Sequence, residues 1–383
     1  MTRYLLYSHD TYGLGHFRRS SLLAAGLVAA GPQHEALIVT GSPRAESFAL
    51  PAGIDTVKLP SATKDACGAY RSLKLRGGLR RLINLRANLV CSTAMSYEPD
   101  VIIVDHAPLG MGGELQPLLT ELRRRARRPR LVLGLRDIID EPERVAATWH
   151  RDGVWDALDQ YDDVYVYGDP AVTTTAQELG LDRRTRASVT HTGYVAPSMP
   201  ERLDGEPFLL VTPGGGGDGQ TLLARYLDAV EAGATAGVRS LVVTGPLLGD
   251  RGQADVVCRA ERLPDVDVVS FSDQMRSLIA SATGVISMAG YNTVVEELAA
   301  RTPALLVPRR SPRLEQHLRA TRLEARTQLR HSPAECLTPH RIHRFVDACR
   351  HTSRVDATVD LSGVATVVDA LAAPASKRIP AHV

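Results

Sequence analysis

Cysteine is scarce in this chain: five in 383 residues, at Cys67, Cys91, Cys258, Cys336 and Cys349, with no Cys-x-x-Cys pair. An odd, scattered set builds neither a disulfide framework nor a zinc site, and points to reduced thiols in a cytosol. Net charge is nearly lacking as well. Against 45 Lys and Arg stand 43 Asp and Glu, leaving +2, so no global field calls for nucleic acid as a partner. No apolar run is long enough to cross a bilayer, and Met1-Thr-Arg-Tyr4 leads straight into a strand pattern. A cytoplasmic protein without signal peptide or membrane span is expected, with at most peripheral contact to the inner face of a membrane. What the chain does have is a globular balance, 44% hydrophobic and 23% charged, and length enough for two domains with real cores.

Short apolar runs alternate with helix-length stretches throughout. The expected strands of the first half are Tyr4–Ser8, Ala36–Thr40, Val101–Asp105, Leu131–Leu135, Val164–Tyr167 and Val189–Thr192. Those of the second half are Phe208–Thr212, Ser240–Thr244, Val266–Ser270, Gly284–Ser287 and Ala304–Val307. Helices are expected at Arg18–Ala30, Leu75–Tyr97, Glu114–Arg127, Pro142–Leu158, Gln220–Ala232, Thr293–Ala300 and Leu314–Ala325, with further ones near Pro339–Cys349 and Leu361–Ala372. Continuous apolar strands between helices predict an α/β protein with parallel sheets covered on both faces, here twice over. The Pro-rich, polar stretch 196–207 is the expected linker between domains at 1–195 and 208–373, with a flexible tail at 374–383. Two such domains facing each other would leave a cleft at the C-terminal ends of their strands.

The most informative run is Ser287-Met-Ala-Gly-Tyr-Asn-Thr-Val-Val-Glu-Glu-Leu298. A strand enters a turn at Ala289-Gly290, and the turn opens a helix at Tyr291-Asn292-Thr293. Free backbone N–H groups at such a helix start suit a phosphate, and Thr293 adds a hydroxyl. Glu296, six residues past Gly290, suits a vicinal diol such as a ribose. Glu315-Gln316, after the next strand, suits sugar hydroxyls. Pro213-Gly-Gly-Gly-Gly-Asp-Gly219 follows another strand, and Gly215, Gly216 and Gly217 let a backbone approach a diphosphate. It is not a P-loop, because no Gly-Lys-Ser/Thr follows.

These motifs together resemble the donor site of inverting glycosyltransferases of the GT-B fold. The likeness is nearest to the bacterial N-acetylglucosaminyltransferases that make lipid II, the family 28 type. It is specific over about a hundred residues of the second half. It implies a donor pocket of Gly215, Gly216, Gly217, Ala289, Gly290, Tyr291, Asn292, Thr293, Glu296, Glu315 and Gln316. It also implies that Phe271, Ser272 and Met275, in a Phe-x-x-x-Met segment, line the base pocket; the other reading of Phe271 and Met275 is a core pair. No cofactor and no metal are implied. The co-substrate is a nucleotide-diphosphate sugar, a UDP-sugar first among them, and the acceptor is a small molecule or is lipid-linked. Asp265-Val-Asp267 spells an Asp-x-Asp but stands at a strand start, where it reads as turn chemistry.

In the first half, Gly13-Leu-Gly15-His16 follows the first strand. It is not the dinucleotide fingerprint, since Arg18 replaces the third glycine and no acid closes the second strand. It resembles the Gly-x-Gly-His loop of glycosyltransferases, which implies His16 as the base that takes the acceptor proton. Asp105 closes the strand Val101–Asp105, and the same resemblance implies that it orients His16. His106, Arg136 and Asp137 are candidates for the acceptor side. The basic run Arg123–Arg130 reads as a solvated helix end, or as a contact for anionic lipid. A UDP-sugar 2-epimerase and a non-catalytic nucleotide-sugar-binding protein share this outline and stay open. Two positions depart from the family: Met288 stands where it has Arg, and Gly216 where it has Ser.

Overall fold

A computed structural model describes residues 1–10, 15–64, 70–352, 354–356 and 358–372. The chain forms two compact units. One comprises Met1–Pro170, Thr174–Val195 and the segment from Ser362 onward; the other comprises Ala171–Thr173 and Ala196–Leu361.

The first unit contains β1 (Thr2–Ser8), β2 (His34–Thr40), β3 (Ile54–Lys58), β4 (Ala62–Lys64), β5 (Tyr70–Ser72), β6 (Val101–Asp105), β7 (Arg130–Arg136), β8 (Asp163–Tyr167) and β9 (Ser188–His191). Seven of them form a parallel sheet in the order β3-β2-β1-β6-β7-β8-β9, while β4 and β5 pair antiparallel. Apolar, β-branched runs such as Val101-Ile-Ile-Val are buried along their whole length, as strands covered on both faces must be. One core joins Leu5, Val104 and Leu133 of the sheet to Val90 and Leu118 of the helices Gly78–Tyr97 and Gln116–Arg123.

Strand order reverses between β1 and β6, and the chain after each leaves the sheet at its C-terminal edge. Such a switch point opens a crevice between diverging loops. The helix Gly15–Ala29 follows β1 directly. The helix Gly363–Ala372, which domain limits drawn from the sequence assign to the second domain, packs on it in the first unit. A Cβ at Gly26 would stand 2.6 Å from Val364 Cγ1, so glycine there is what permits the approach. Arg130 Nη1 donates to Ala370 O at 2.8 Å and secures the other side.

The second unit contains β10 (Phe208–Thr212), β11 (Arg239–Val243), β12 (Val266–Val269), β13 (Gly284–Ser287), β14 (Ala304–Leu306) and β15 (Arg330–His331), all parallel, in the order β12-β11-β10-β13-β14-β15. Its switch point lies between β10 and β13. Leu209, Val211 and Ile286 bury one face of the sheet, and Leu210, Val285 and Leu306 the other.

Three expectations need correction. The helix Pro142–Leu158 is two helices, Pro142–Arg151 and Val154–Leu158, because Gly153 at φ 68° ends the first turn run. The strands β3, β4, β5 and β15 were not foreseen: they are short or half exposed, so no continuous apolar run marks them. The helix Asp250–Ala260 buries only Gly252, Val256 and Ala260, too thin a stripe to read from periodicity.

Candidate active site

The first switch point gathers charge. Gly13 lies outside the described residues. Gly15 and His16 open the helix Gly15–Ala29, and Asp105 ends β6. His16 Nδ1 lies 2.5 Å from Asp105 Oδ2. A carboxylate oxygen can only accept there, so Nδ1 carries a proton in this contact. Arg19, one helical turn after His16 and on the same face, clamps the same carboxylate. Its Nε donates to Oδ1 at 2.9 Å, and its Nη2 to Oδ1 at 2.7 Å and to Oδ2 at 2.9 Å. Burial pushes the Asp105 carboxyl up, but Arg19 and His16 outweigh it and hold the group at about 2.

His106 and Arg136 close the cluster. Arg136 Nη2 donates to His106 Nε2 at 3.2 Å, which places the ring proton of the neutral imidazole on Nδ1. Burial, then Arg136 and the neighbouring imidazoles, hold His106 well below the usual histidine range, so it stays neutral. Its backbone is in the left-handed region at φ 69°, a conformation that a non-glycine residue rarely holds and that concentrates at functional sites. Asp137, one residue after Arg136, is buried, and its Oδ1 accepts Ile138 N–H at 2.8 Å.

Two members of this cluster carry no motif that marks them from sequence. His9 follows β1, and its ring centroid lies 5.6 Å from that of His16 and 6.4 Å from that of His106. Asp10 is fully buried and accepts from Ser8 Oγ at 2.5 Å, Thr40 Oγ1 at 2.8 Å and Phe17 N at 3.1 Å. The last contact caps the first turn of the helix that carries His16, so Asp10 fixes where that helix begins. Burial raises the Asp10 carboxyl despite the nearby His16. The available signal was position: charged residues immediately after a buried strand at a sheet's functional edge.

The second switch point is built from backbone. The loop after β10 and the turn after β13 lie side by side, since a Cβ at Gly214 would be 3.5 Å from Thr293 Oγ1. A Cβ at Gly216 would strike Thr244 O at 2.5 Å, and one at Gly245 would strike Gly214 O at 2.4 Å. Glycine at 216 therefore lets the loops after β10 and β11 touch. Gly215 and Gly217 lie in the same loop. Gly290 is different: at φ −69° it needs no conformational licence, and a Cβ on it would meet nothing within 4 Å. It is the N-cap of the helix Tyr291–Ala300, whose first turn holds Tyr291, Asn292 and Thr293. The turn itself is fixed by Arg319, whose Nη1 donates to Ala289 O at 2.8 Å and whose guanidinium lies 5.8 Å from the Tyr291 ring centroid.

Carboxylates flank this turn. Glu296 and Glu297 are both buried. Ser287 Oγ donates to Glu297 Oε1 at 2.6 Å, while Glu297 Oε2 finds no partner among the described residues. Burial, with Glu296 adding repulsion, raises the Glu297 carboxyl to about 8, so it is protonated near neutral pH. Glu315 and Gln316 open the helix Glu315–Glu324, and Arg309 engages both. Its Nη2 contacts Glu315 Oε1 at 2.6 Å, and its backbone N–H donates to Gln316 Oε1 at 3.1 Å. Its Nη1 also pairs with Asp218 of the glycine loop at 3.1 Å. Arg309, Arg319 and Glu297 have no sequence motif of their own.

The Phe-x-x-x-Met segment divides. Met275 packs against the core, whereas Phe271, in the loop after β12, is 38% exposed. Ser272 Oγ accepts Gln274 N–H at 3.1 Å. Asp265 sits in a turn at φ 60°, and Asp267 pairs with Arg239 at 2.8 Å. In the basic run, Arg128 pairs with Asp162 at 2.6 Å and Arg130 with Asp163 at 2.5 Å. No helix among the described residues is long and apolar enough to cross a membrane.

Residues 213–365 match the family model of the glycosyltransferase family 28 C-terminal domain. No curated protein matches the sequence. Among solved structures, the chain is similar to MurG of Acinetobacter baumannii, at 13% identity and a TM-score of 0.58 over 97% of this chain and 99% of that one. It is similar to the glycosyltransferase SnogD of Streptomyces nogalater, at 18% identity and a TM-score of 0.58 over 97% and 100%. A third likeness is to a UGT transferase of Siraitia grosvenorii solved in complex with UDP, at 12% identity and a TM-score of 0.60 over 97% and 99%. At these identities the likeness is one of fold, and the fold is GT-B. The chain thus has a GT-B fold in which residues 213–365 match the glycosyltransferase family 28 C-terminal domain. Family match and fold together support a glycosyltransferase.

Proposed function

We propose that the protein moves a sugar from a nucleotide-diphosphate sugar, a UDP-sugar first among them, to an acceptor nucleophile by inverting direct displacement. The acceptor hydroxyl attacks the anomeric carbon. Its proton passes to His16 Nε2, the bond from that carbon to the diphosphate breaks, and the nucleoside diphosphate leaves with the electron pair. Asp105 holds the reactive tautomer of His16 and stabilises the imidazolium that forms. The helix start at Gly290–Thr293 and the loop at Gly215–Gly217 receive the diphosphate, so that backbone N–H groups meet the charge that develops on it. Glu296 takes the ribose, and Phe271 offers a face to the base. Glu315 and Gln316 hold the donor sugar beside Arg309. The natural product and envelope glycolipid classes both supply acceptors of the required chemistry.

The observation that carries this reading is the 2.5 Å contact of His16 Nδ1 with Asp105 Oδ2. A protein that only binds a nucleotide sugar has no use for an imidazole held by one nitrogen on a buried carboxylate. The test is a thermal-shift comparison of UDP, GDP, dTDP and NAD, followed by a donor-turnover assay with and without acceptors. Stabilisation by UDP that disappears in Glu296→Ala is expected, with UDP release that requires His16. Stabilisation by NAD alone, or by none of the four, would overturn the donor site. Conversion of a UDP-sugar into an isomer without acceptor would replace transfer by epimerisation.

A further inference from the structure

We propose that Arg19 is a positioning residue for the His16–Asp105 pair: it fixes the plane of the Asp105 carboxylate and limits how basic His16 becomes. This rests on His16 acting as the base.

The geometry separates two effects. Three of the four contacts made to the Asp105 carboxylate by this pair of side chains come from Arg19, and only one from His16. A guanidinium fork defines a carboxylate plane in a way that one imidazole N–H cannot. With Oδ1 taken by Nε and Nη2, Oδ2 is the oxygen turned to the ring, and His16 Nε2 is directed away from Asp105. The second effect is charge. Arg19 Nη2 lies 3.2 Å from His16 Nδ1. An imidazolium formed there would share its counter-ion with a permanent cation.

Both Arg19 and Asp105 are nearly inaccessible, at 2% and 4% exposure. A buried ion pair is a poor source of stability, since apolar residues of similar volume do as well or better. Its retention at the base of an imidazole is better explained by what it does to the imidazole. The other groups facing the ring come from every neighbouring strand end. They are His9 and Asp10 after β1 and His106 after β6, with Arg136 at the end of β7 behind His106. Tyr70 of β5 reaches His9 at 3.4 Å, and the Tyr167 ring of β8 lies 5.7 Å from the Arg19 guanidinium. Among the permanently charged groups of this set, Arg19 is the one in direct contact with both members of the pair.

The experiment compares Arg19→Met and Arg19→Lys in the full chain, with kcat and kcat/KM followed across pH. Arg19→Met frees the carboxylate from its competing cation. The acid limb of kcat/KM is expected to move up by about one pH unit, a tenfold change in proton affinity, with kcat down about tenfold to a hundredfold as the ring loses its alignment. Arg19→Lys keeps the charge and loses the fork, so the limb stays and kcat alone falls. A packing role would lower the melting temperature and leave the limb in place in both variants, which would overturn the proposal. If Arg19→Met does not fold, Arg19→Lys decides: unchanged kcat overturns it. A proton NMR titration of the His16 ring needs no turnover. An upward move of its midpoint in Arg19→Met supports the charge effect even if no transferase activity is found, and an unmoved midpoint overturns it.

Discussion

The two units place their functional groups at the same address, the point where a parallel sheet reverses direction, and fill it with opposite materials. Between β1 and β6 the crevice holds side chains: three imidazoles, two carboxylates and two guanidinium groups. Between β10 and β13 the facing loops are backbone, a glycine loop, a helix start and a turn whose central residue has no side chain, with Glu296, Glu297 and Arg319 set around them. A proton must be moved by a group that titrates, and a leaving diphosphate is best met by dipoles that do not. Under the function proposed above, the contrast suits the first unit to proton transfer and the second to anion binding, and each substitution below should damage one property and spare the other.

The largest effect is expected from His16→Ala. Loss of a general base costs about two to four orders of magnitude in kcat, while UDP should stabilise the variant as it does the parent. If nucleotide binding falls together with turnover, the division of labour is wrong. Asp105→Asn should lower kcat by less and add a structural cost that His16→Ala does not: it leaves the buried Arg19 without its counter-ion and should lower the melting temperature, through a penalty of about 3 kcal/mol or more.

Glu297→Gln tests the second unit's aversion to charge. With its carboxyl raised from the usual 4.5 to about 8, the native state holds a proton that the unfolded state releases. The contribution of Glu297 is whole below about 4.5 and is lost as pH rises through about 8, so the parent should lose stability across that window. Gln imitates the protonated form. It should remove this slope and stabilise the protein at pH 7.5 by up to about 4 kcal/mol, at ~1.4 kcal/mol for each pH unit above 4.5. Urea denaturation at several pH values measures it, and equal slopes in both proteins would show that Glu297 is ionised in the native state.

How far the sequence reveals all this follows from the same contrast. Turns made of backbone are marked in the sequence, because glycines between a strand and a helix show by position: the run from Ser287 to Glu296 and the loop at 213–219 are legible as turns, and their reading as a donor site comes from the family resemblance. Sites made of long-range side-chain contacts are not so marked. Arg19 reads as one of two arginines on a helix, and only the strand order that brings β6 beside β1 buries it against Asp105, 86 residues on. Arg309 is hidden in the same way, since nothing near it in the chain says that it joins Glu315 to Asp218 of the glycine loop. The helix Gly363–Ala372 shows the limit for whole elements. Its pattern is legible, and its return to the first domain is what the GT-B resemblance implies, but the helix's own pattern does not name the small residue that admits it, Gly26 in another segment.

The smallest and sharpest expectation concerns Gly290. Two glycines in the second crevice cannot be replaced without a clash against backbone: at 216 and 245 an added Cβ meets backbone oxygen. At Gly290 it meets open space in an ordinary extended conformation, so the fold places no demand on glycine there. If the space is where a phosphate sits against the helix start, a side chain competes with the ligand alone. Gly290→Val should then leave the melting temperature of the free protein within a degree or two, and weaken UDP by about tenfold, or ~1.4 kcal/mol. His16 variants should behave in the reverse sense, with binding kept and turnover lost. Undiminished UDP binding in Gly290→Val would move the diphosphate away from this helix, and would leave the open space beside an unstrained glycine without a purpose.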